Sequence, residues 1–242
     1  MVLERSLLEA AFTLFTLMKY DSTTLKQPAL ALINAAERLI AQQGVENVSL
    51  LDIAKAAGQA NKSAVQYHFG SKENLLKAIF EVRLEYINDR RTEMLNSLEE
   101  SNSVTIVNLL KVIICPPLEM VGDDGIHYYA QFAMQLVDSQ YAQAVWFGQA
   151  NFQGTIKIRA MLSELTPHLS REEFELRMLF IRELTFGAIR IIDNNAIALL
   201  AKKRAKSVPA NLIDQTIHPT LEQAFGIAQM ILAAKEDFSQ NS

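Results

Sequence analysis

Polar and basic side chains are concentrated in one stretch of this chain, between Val48 and Leu75. The stretch is predicted to form two short helices joined by a tight turn, followed directly by a third helix. From Gln59 to Lys72 it holds two lysines and one histidine and no acidic residue. Such side chains at the exposed end of a short helix suit phosphates and base edges better than a catalytic pocket. The candidate contact residues are Ser49, Asn61, Lys62, Ser63, Gln66, Tyr67, His68 and Lys72.

These side chains differ in the contacts that we expect of them. Ser49 lies at a predicted helix N-terminus and Lys72 carries a charge, so both are expected to contact phosphates. Tyr67 and His68 either touch the DNA backbone or pack within the protein, and the sequence leaves both interpretations open. For the stretch as a whole, the alternative is a solvated polar face on a small helical bundle. Base edges are expected to be read by Lys62, Ser63 and Gln66.

Signals for catalysis or metal binding are weaker. His127 lies near Asp123 and Asp124, but the Gly-Asp-Asp-Gly run around them is typical of a turn. No further ligand follows at helical spacing, so we expect no metal. Because no glycine-rich phosphate loop and no nucleophile motif occurs, we expect neither an enzyme nor a cofactor.

The elements that must position these residues are predicted to be helices throughout, which makes the chain all-α. Apolar residues recur at spacings of three and four, and nine Gly and six Pro are few for 242 residues. Ser49 with Asp52 resembles a capping box, and Asn61 can cap the next helix. Gly44 and Gly58 are expected to end the helices before them. Helices are expected at 29–43, 50–57, from 61, from 72 to about 100, and near 103–114, 118–121, 126–138, 141–164, 171–204 and 219–235, with breakers at 116–117, 122–125, 167 and 209.

The predicted segments are an N-terminal extension at 1–25, a helix-turn-helix domain at 26–80 and a larger helical domain at 81–242. Residues 2–19 are patterned as an amphipathic helix that packs on the body or lies on a membrane, or else translation begins at Met18. No signal peptide is recognisable, and no run of about 18 apolar residues occurs. The net charge of −4 means that contact with DNA must be local. A single cysteine, Cys115, suits a reducing compartment, so we expect a cytoplasmic protein.

Several residues in the first third of the chain agree at once with one known pattern. They are Ala35-Ala36, Gly44, Ile53-Ala54, Ala57-Gly58 and the run Tyr67-His68-Phe69-Gly70-Ser71-Lys72-Glu73-Asn74-Leu75. The combination resembles the tetracycline-repressor (TetR) family of transcriptional regulators over about residues 28–80. The resemblance implies a homodimeric repressor that leaves a near-palindromic operator in double-stranded DNA when a small, largely apolar effector binds to its second domain.

The chain departs from the family pattern at two places. Between Gly58 and Phe69 it has one residue more than the commonest pattern, which predicts a longer turn. Gln66 stands where many members carry Tyr. A tyrosine there would mainly hold phosphate, whereas glutamine can bond an adenine edge through two hydrogen bonds.

The second domain carries the expectations about effector and partner. With the family resemblance, an effector cavity is expected near a set of aromatic residues, for which ordinary core packing is the alternative. The helices at 171–204 and 219–235 are apolar on more than one face, which predicts a dimer seam of two helices per subunit. A helical binding protein or enzyme that keeps the head as a scaffold, and a pure dimerisation module, are the rival interpretations. The expected effector-lining residues are Tyr128, Phe132, Trp146, Phe147 and Phe186.

Overall fold

The computed structural model describes residues 27–59, 61–122, 124–146, 153–203 and 210–235. Every regular element within these ranges is a helix, which confirms the all-α prediction. The extension at 1–25, with its expected helix, lies outside the described residues. The helices are α1 (Gln27–Gln43), α2 (Leu50–Ala56), α3 (Ser63–Phe69), α4 (Lys72–Glu100), α5 (Ile106–Leu118), α6 (Tyr128–Val137), α7 (Ala142–Trp146), α8 (Gln153–Glu164), α9 (Arg171–Lys203) and α10 (Ala210–Ala233).

The chain divides into two compact units. The head unit takes in the described residues up to Asn88 and those of 135–152, and the body unit takes in those of 89–134 and 153–242. Helices α4 and α6 each contribute residues to both units. No helix in the described ranges combines the length and the hydropathy that crossing a membrane requires.

Helices α1 to α4 share one apolar core in the head unit. Buried residues recur along α1 at spacings of three and four, as an amphipathic helix requires. Val65 and Phe69, one turn apart, seat α3 in the same core. Each large apolar side chain contributes roughly 1.5–3 kcal/mol when fully buried. The buried apolar residues of these helices include Leu32, Ile33, Ala36, Ile40, Ile53, Ala54, Val65, Phe69, Leu75, Leu76, Ile79 and Phe80.

An ion pair ties α4 to α1 within the head unit. Arg83 donates from Nε to the Glu37 carboxylate at 2.8 Å and from Nη2 to the Asn34 side-chain oxygen at 2.9 Å. Glu37 is buried, so its carboxylate needs this partner. The first part of α4 is therefore held along α1 by a polar contact as well as by the core.

The body unit has its own core, built mainly from α5, α8, α9 and α10. A buried arginine closes the end of α10. The Arg177 guanidinium donates to the carbonyls of Ile231 at 2.8 Å and Ala234 at 2.6 Å. Carbonyls in the last turn of a helix have no helical donor, so α9 supplies one. The main core cluster comprises Leu95, Leu109, Leu110, Val112, Ile158, Leu162, Phe174, Met178, Ile181, Phe225, Ala228 and Leu232.

The expectation that Pro116 and Pro117 interrupt the helical structure is wrong, because both lie inside the last turn of α5. A proline in a helix cannot donate to the carbonyl four residues before it. For Pro117 that carbonyl belongs to Ile113, and Arg91 donates to it at 3.1 Å instead. The backbone N–H of Glu119 then closes the turn by donating to Cys115 and Pro116. A side chain from α4 therefore replaces a donor that the proline lacks.

Two other expected boundaries are also wrong. There is no separate helix at 118–121, because Leu118 ends α5 and the next residues form a turn. Helix α10 begins at Ala210 and runs through Pro219, which had been expected to start it. The proline removes one helical hydrogen bond, a local loss within a helix of 24 residues. The expected helix at 141–164 is described as α7 and α8, and residues 147–152 lie outside the described ranges.

Candidate nucleic-acid interface

The helix-turn-helix begins at a capping box that fixes the N-terminus of α2. The Ser49 hydroxyl accepts a hydrogen bond from the Asp52 backbone N–H at 3.2 Å and donates to the Asp52 carboxylate at 2.5 Å. The Ser49 backbone N–H donates to the same carboxylate at 3.1 Å. These bonds from Ser49, the side-chain one first, hold the pKa of Asp52 below its ordinary value. The predicted capping box is confirmed.

Helix α2 ends in a Schellman motif around Gly58, whose φ is +72°. The Gln59 N–H donates to the carbonyl of Ala54 at 2.8 Å, and the Gly58 N–H donates to that of Lys55 at 3.0 Å. Nothing lies within 4 Å of the position that a Cβ on Gly58 would take, so the backbone angle alone favours glycine there. Residues 57–62 then separate α2 from α3. Since Ala60 is outside the described residues, the one-residue lengthening of this turn stays a prediction.

Helix α3 buries one face and presents a polar one. The N-cap of α3 is Lys62 rather than the expected Asn61, although the Asn61 side-chain oxygen accepts a hydrogen bond from the Ser63 N–H at 2.9 Å. Tyr67 is 85% exposed, so it does not pack in the core, and its ring meets His68 edge to face at 5.0 Å. Helix α3 has only seven residues and is too short to be stable in isolation, so it depends on the face that it buries. The exposed polar residues at and before α3 are Asn61, Lys62, Ser63, Gln66 and Tyr67, with His68 half-exposed beside them.

The charge around this polar face favours anions. The face carries Lys62 and no carboxylate between residues 59 and 72. The acidic residues that flank this stretch are both engaged locally: Asp52 with Ser49 at 2.5 Å and Glu73 with Lys77 at 2.8 Å. A nearby phosphate would therefore meet donors and a lysine ammonium rather than free carboxylates.

Lys72, expected to contact phosphate, turns its ammonium toward the protein backbone. Its Nζ donates to the carbonyls of Val45 at 2.5 Å and Val48 at 2.6 Å. Burial lowers the pKa of Lys72, and the charge of Glu46 acts against that shift. Two of its three donors are thus used in holding the loop that leads into Ser49. The phosphate contacts of Lys72 and Ser49 stay predictions, since both side chains already have partners within the head.

In the body unit, a buried polar network was missed by sequence reasoning. His127 Nδ1 lies 2.7 Å from Asp193 Oδ1, and Gln131 Nε2 donates to Asp193 Oδ2 at 2.5 Å. Asp193 is 0% exposed. Sequence proximity had pointed to Asp123 and Asp124 as neighbours of His127. The available signal was that Asp193 follows Ile191 and Ile192 directly within an apolar helix. A buried aspartate must find a polar partner.

The structure describes only some of the aromatic residues that are expected near an effector. Phe132 is fully buried, and Tyr128 is nearly so, with its hydroxyl donating to Asp124 at 2.6 Å. Phe186 is half-buried and packs against Leu118, Ala130 and Ile189 in the body unit. Trp146 ends α7, but its side chain and the whole of Phe147 lie outside the described residues. The lining of an effector cavity therefore stays a prediction.

Among known proteins, residues 32–79 match the family model described as bacterial regulatory proteins, tetR family. The HTH-type transcriptional regulator AcrR of Shigella flexneri is 32% identical over 116 residues, which cover 41% of this chain and 54% of that protein. The chain thus spans about half the length of this relative. The matched segment contains α2, α3 and the start of α4, with the capping box and the polar face described above.

Two solved structures are similar at lower levels. A transcriptional regulator from Rhodococcus sp. Rha1 is 18% identical, with a TM-score of 0.49, over 86% of this chain and 98% of its own. A regulator from Rhodococcus sp. described as of the TetR family is 18% identical, with a TM-score of 0.46. The match covers 84% of this chain and 100% of that protein. The family match rests on the head and on its sequence. Over residues 32–79, which contain its helix-turn-helix, the chain is therefore similar to the tetR family of bacterial regulatory proteins.

Proposed function

We propose that this chain is a homodimeric, ligand-responsive transcriptional regulator, a repressor that a small effector releases from DNA. The observation that carries the proposal is the exposed, acid-free polar face of α3 on a locally capped helix-turn-helix. In this proposal residues 26–80 bind DNA and residues 81–242 bind the effector and the second subunit. Helix α4, which contributes to both units, is the expected mechanical link.

The polar face of α3 is proposed to enter the major groove. Lys62, Ser63 and Gln66 would read base edges, and an exposed glutamine can form two hydrogen bonds with an adenine. Tyr67 and His68 would touch the DNA backbone, a role that the high exposure of Tyr67 supports. In a dimer, the two α3 helices would read half-sites about 34–36 Å apart, or a multiple of that spacing.

The homodimer is proposed to form through α9 and α10. Each helix buries one face in the body core and leaves apolar side chains exposed on another. Phe180 is 52% and Met230 is 72% exposed, although burying such side chains stabilises a protein. Gly187 in α9 and Gly226 in α10 have nothing within 4 Å of a would-be Cβ. Since glycine weakens a helix by roughly 1 kcal/mol, close approach of a partner helix would account for both. The exposed apolar residues are Leu176, Leu179, Phe180, Ile191, Ile197, Ile227 and Met230.

The dimer proposal is tested by charge placed on this surface. Phe180→Glu and Met230→Glu should each yield a monomer in light scattering, because an unpaired charge would be buried in the seam. Ile156→Glu is the matched control, since Ile156 is 59% exposed on α8 and lies outside the proposed seam. A dimer that persists in both seam variants, or a wild-type monomer, would contradict the proposal.

The effector is proposed to be small and largely apolar, lying among Tyr128, Phe132, Trp146, Phe147 and Phe186. Two features support an effector site in the body: aromatic side chains on α6 and buried polar groups that could orient a ligand. Effector binding would favour a dimer geometry unsuited to the operator, with coupling of about 1–3 kcal/mol. Screening small molecules for a raised Tm and for release of bound DNA tests this part.

DNA binding is tested by selecting bound fragments from the organism's own genome and measuring affinity at two salt concentrations. Lys62→Ala and Gln66→Ala should each cost about 1–3 kcal/mol at one base position, because both residues are proposed to read base edges. Lys157→Ala and Gln43→Ala are the matched controls, as both residues are exposed and belong to α8 and α1 rather than to α3. Absence of salt-dependent binding would favour the rival, a helical binding protein or enzyme that keeps the head as a scaffold.

A further inference from the structure

The loop that leads into the helix-turn-helix is contacted by a segment far along the chain. Residues 135–146 belong to the head unit although they begin 47 positions after Asn88, where the first segment of that unit ends. Within this segment, Ser139 starts a turn: its hydroxyl donates to the Leu136 carbonyl at 2.8 Å and accepts from the Tyr141 N–H at 3.2 Å. The turn is thus a defined structure that can present its side chains in fixed directions.

Two side chains of this turn reach the loop at 45–48. Gln140 Nε2 donates to the Glu46 carboxylate at 2.7 Å. The Tyr141 ring lies beneath the Lys72 ammonium, with 5.6 Å between Nζ and the ring centroid. Lys72 in turn holds the carbonyls of Val45 and Val48. The loop is therefore held at two points: Gln140 contacts the Glu46 side chain, and Lys72 contacts the loop backbone.

We propose that Gln140 and Tyr141 are positioning residues for DNA binding: they hold Glu46 and Lys72, and through them the loop that sets α2 and α3. The inference rests on the proposed DNA-binding function and assigns a role to residues outside the helix-turn-helix. It also gives Lys72 a specific part, as the junction between the turn and the loop.

The chemistry of each contact fits this role. The face of an aromatic ring attracts a cation, and the attraction strengthens when the cation is partly withdrawn from water, as Lys72 is. Val45 and Val48 are buried, so the loop cannot shift without moving its anchors in the head core. The loop ends at Ser49, whose capping box starts α2. A change at Tyr141 should therefore loosen the start of α2.

The first experiment measures hydrogen exchange over residues 44–52 in the full-length protein without DNA. Tyr141→Leu removes the ring face but keeps an apolar side chain, and it should accelerate exchange of this segment. Tyr141→Phe keeps the ring and should exchange as the wild type does. Gln140→Ala, at an exposed position that cannot disturb the core, should give a smaller acceleration in the same segment. Unchanged exchange in Tyr141→Leu and Gln140→Ala overturns the proposal.

The second experiment measures DNA affinity as a function of salt for the same variants. Tyr141→Leu should raise Kd about two- to fivefold, the range expected for a cation–π contact, with the salt slope unchanged. A slope lower by about one would mean that a phosphate contact was lost, and it would overturn the positioning role. Faster exchange with unchanged affinity would overturn it too. If the wild type shows no salt-dependent DNA binding, the proposed function fails, while the exchange experiment still decides whether the turn holds the loop.

Discussion

The helix-turn-helix and the body unit hold their helices by different means. In the helix-turn-helix, the polar contacts that end and begin helices join residues within five positions of each other, as between Ser49 and Asp52. In the body, the buried His127 and Arg177 side chains contact distant residues: His127 and Asp193 are 66 positions apart, and Arg177 and Ile231 are 54 apart. The helix ends of the helix-turn-helix are thus specified locally, whereas the buried charged groups of the body depend on tertiary pairing.

This difference has an energetic side. A local cap lies at the surface and stabilises a helix end by about 1 kcal/mol, because water can replace it when it is lost. A buried pair has no such substitute, and removing one partner leaves a charge or dipole without water. We therefore expect variants of the body network to be costlier than variants of the caps, even though the head carries the proposed DNA contacts.

The largest effect is expected at His127. His127→Leu should lower the free energy of unfolding by about 3–5 kcal/mol, because it leaves the Asp193 carboxylate buried with one partner fewer. Urea unfolding monitored by circular dichroism measures the change. His168→Leu, at an exposed histidine of the same unit, should change it by less than about 0.5 kcal/mol. A loss below about 1 kcal/mol for His127→Leu would show that the network is not what holds this part of the body.

Next in size is the arginine that closes α10. Arg177→Met should cost about 2 kcal/mol, because the carbonyls of Ile231 and Ala234 lose a charged donor. Arg171→Met, at an exposed position of the same helix, serves as the control for lost charge. Hydrogen exchange should quicken in the last turn of α10 and not in α2 or α3. Equal losses in the two variants would mean that the carbonyl contacts contribute nothing measurable.

The same local-versus-distant distinction explains what could be predicted from sequence. Helix α4 was expected from Lys72 to about Glu100 and is observed over that range, because its ends are set by neighbours in sequence. Ser71 accepts from the Asn74 N–H at its start, and Asn102, with φ +50°, allows the turn after its end. The capping box and the polar face of α3 were predictable for the same reason.

The rest depended on partners that no local pattern names. The sequence predicts a helix break at Pro117 because no local pattern shows that Arg91 reaches the Ile113 carbonyl. Burial lowers the pKa of Arg91 to about 10, so the guanidinium stays charged in the core at neutral pH. Likewise, His127 was weighed against its sequence neighbours when its partner was Asp193. Lys72 was expected at the DNA surface, and its contacts with Val45 and Val48 required the folded loop.

A smaller effect is expected at Gly58, where the head requires a backbone in the left-handed conformation. Gly58→Ala should cost about 1–2 kcal/mol, because a side chain raises the energy of a positive φ, and nothing nearby would be gained or blocked. Gly58→Asn should cost less, since Asn102 already adopts a positive φ after α4. Thermal unfolding of the three proteins measures the order. If alanine and asparagine were equally tolerated, the angle at Gly58 would not constrain the turn.

The smallest effect is expected at the helix caps. There the cost of a cap variant should depend on pH in the head but not in the body. Ser49→Ala should cost about 1 kcal/mol at pH 7, and Thr105→Ala, which removes the cap of α5, should cost a similar amount. The bonds from Ser49 hold the pKa of Asp52 below its ordinary 3.8, so its carboxylate contributes stability at neutral pH that is lost as pH falls through the folded value. Thr105 accepts from the Asn108 N–H without a carboxylate. Acidification below about pH 4 should therefore shrink the cost of Ser49→Ala and leave that of Thr105→Ala unchanged, as measured by urea unfolding at each pH. Parallel behaviour of the two variants would mean that the carboxylate of Asp52 does not strengthen the head's cap.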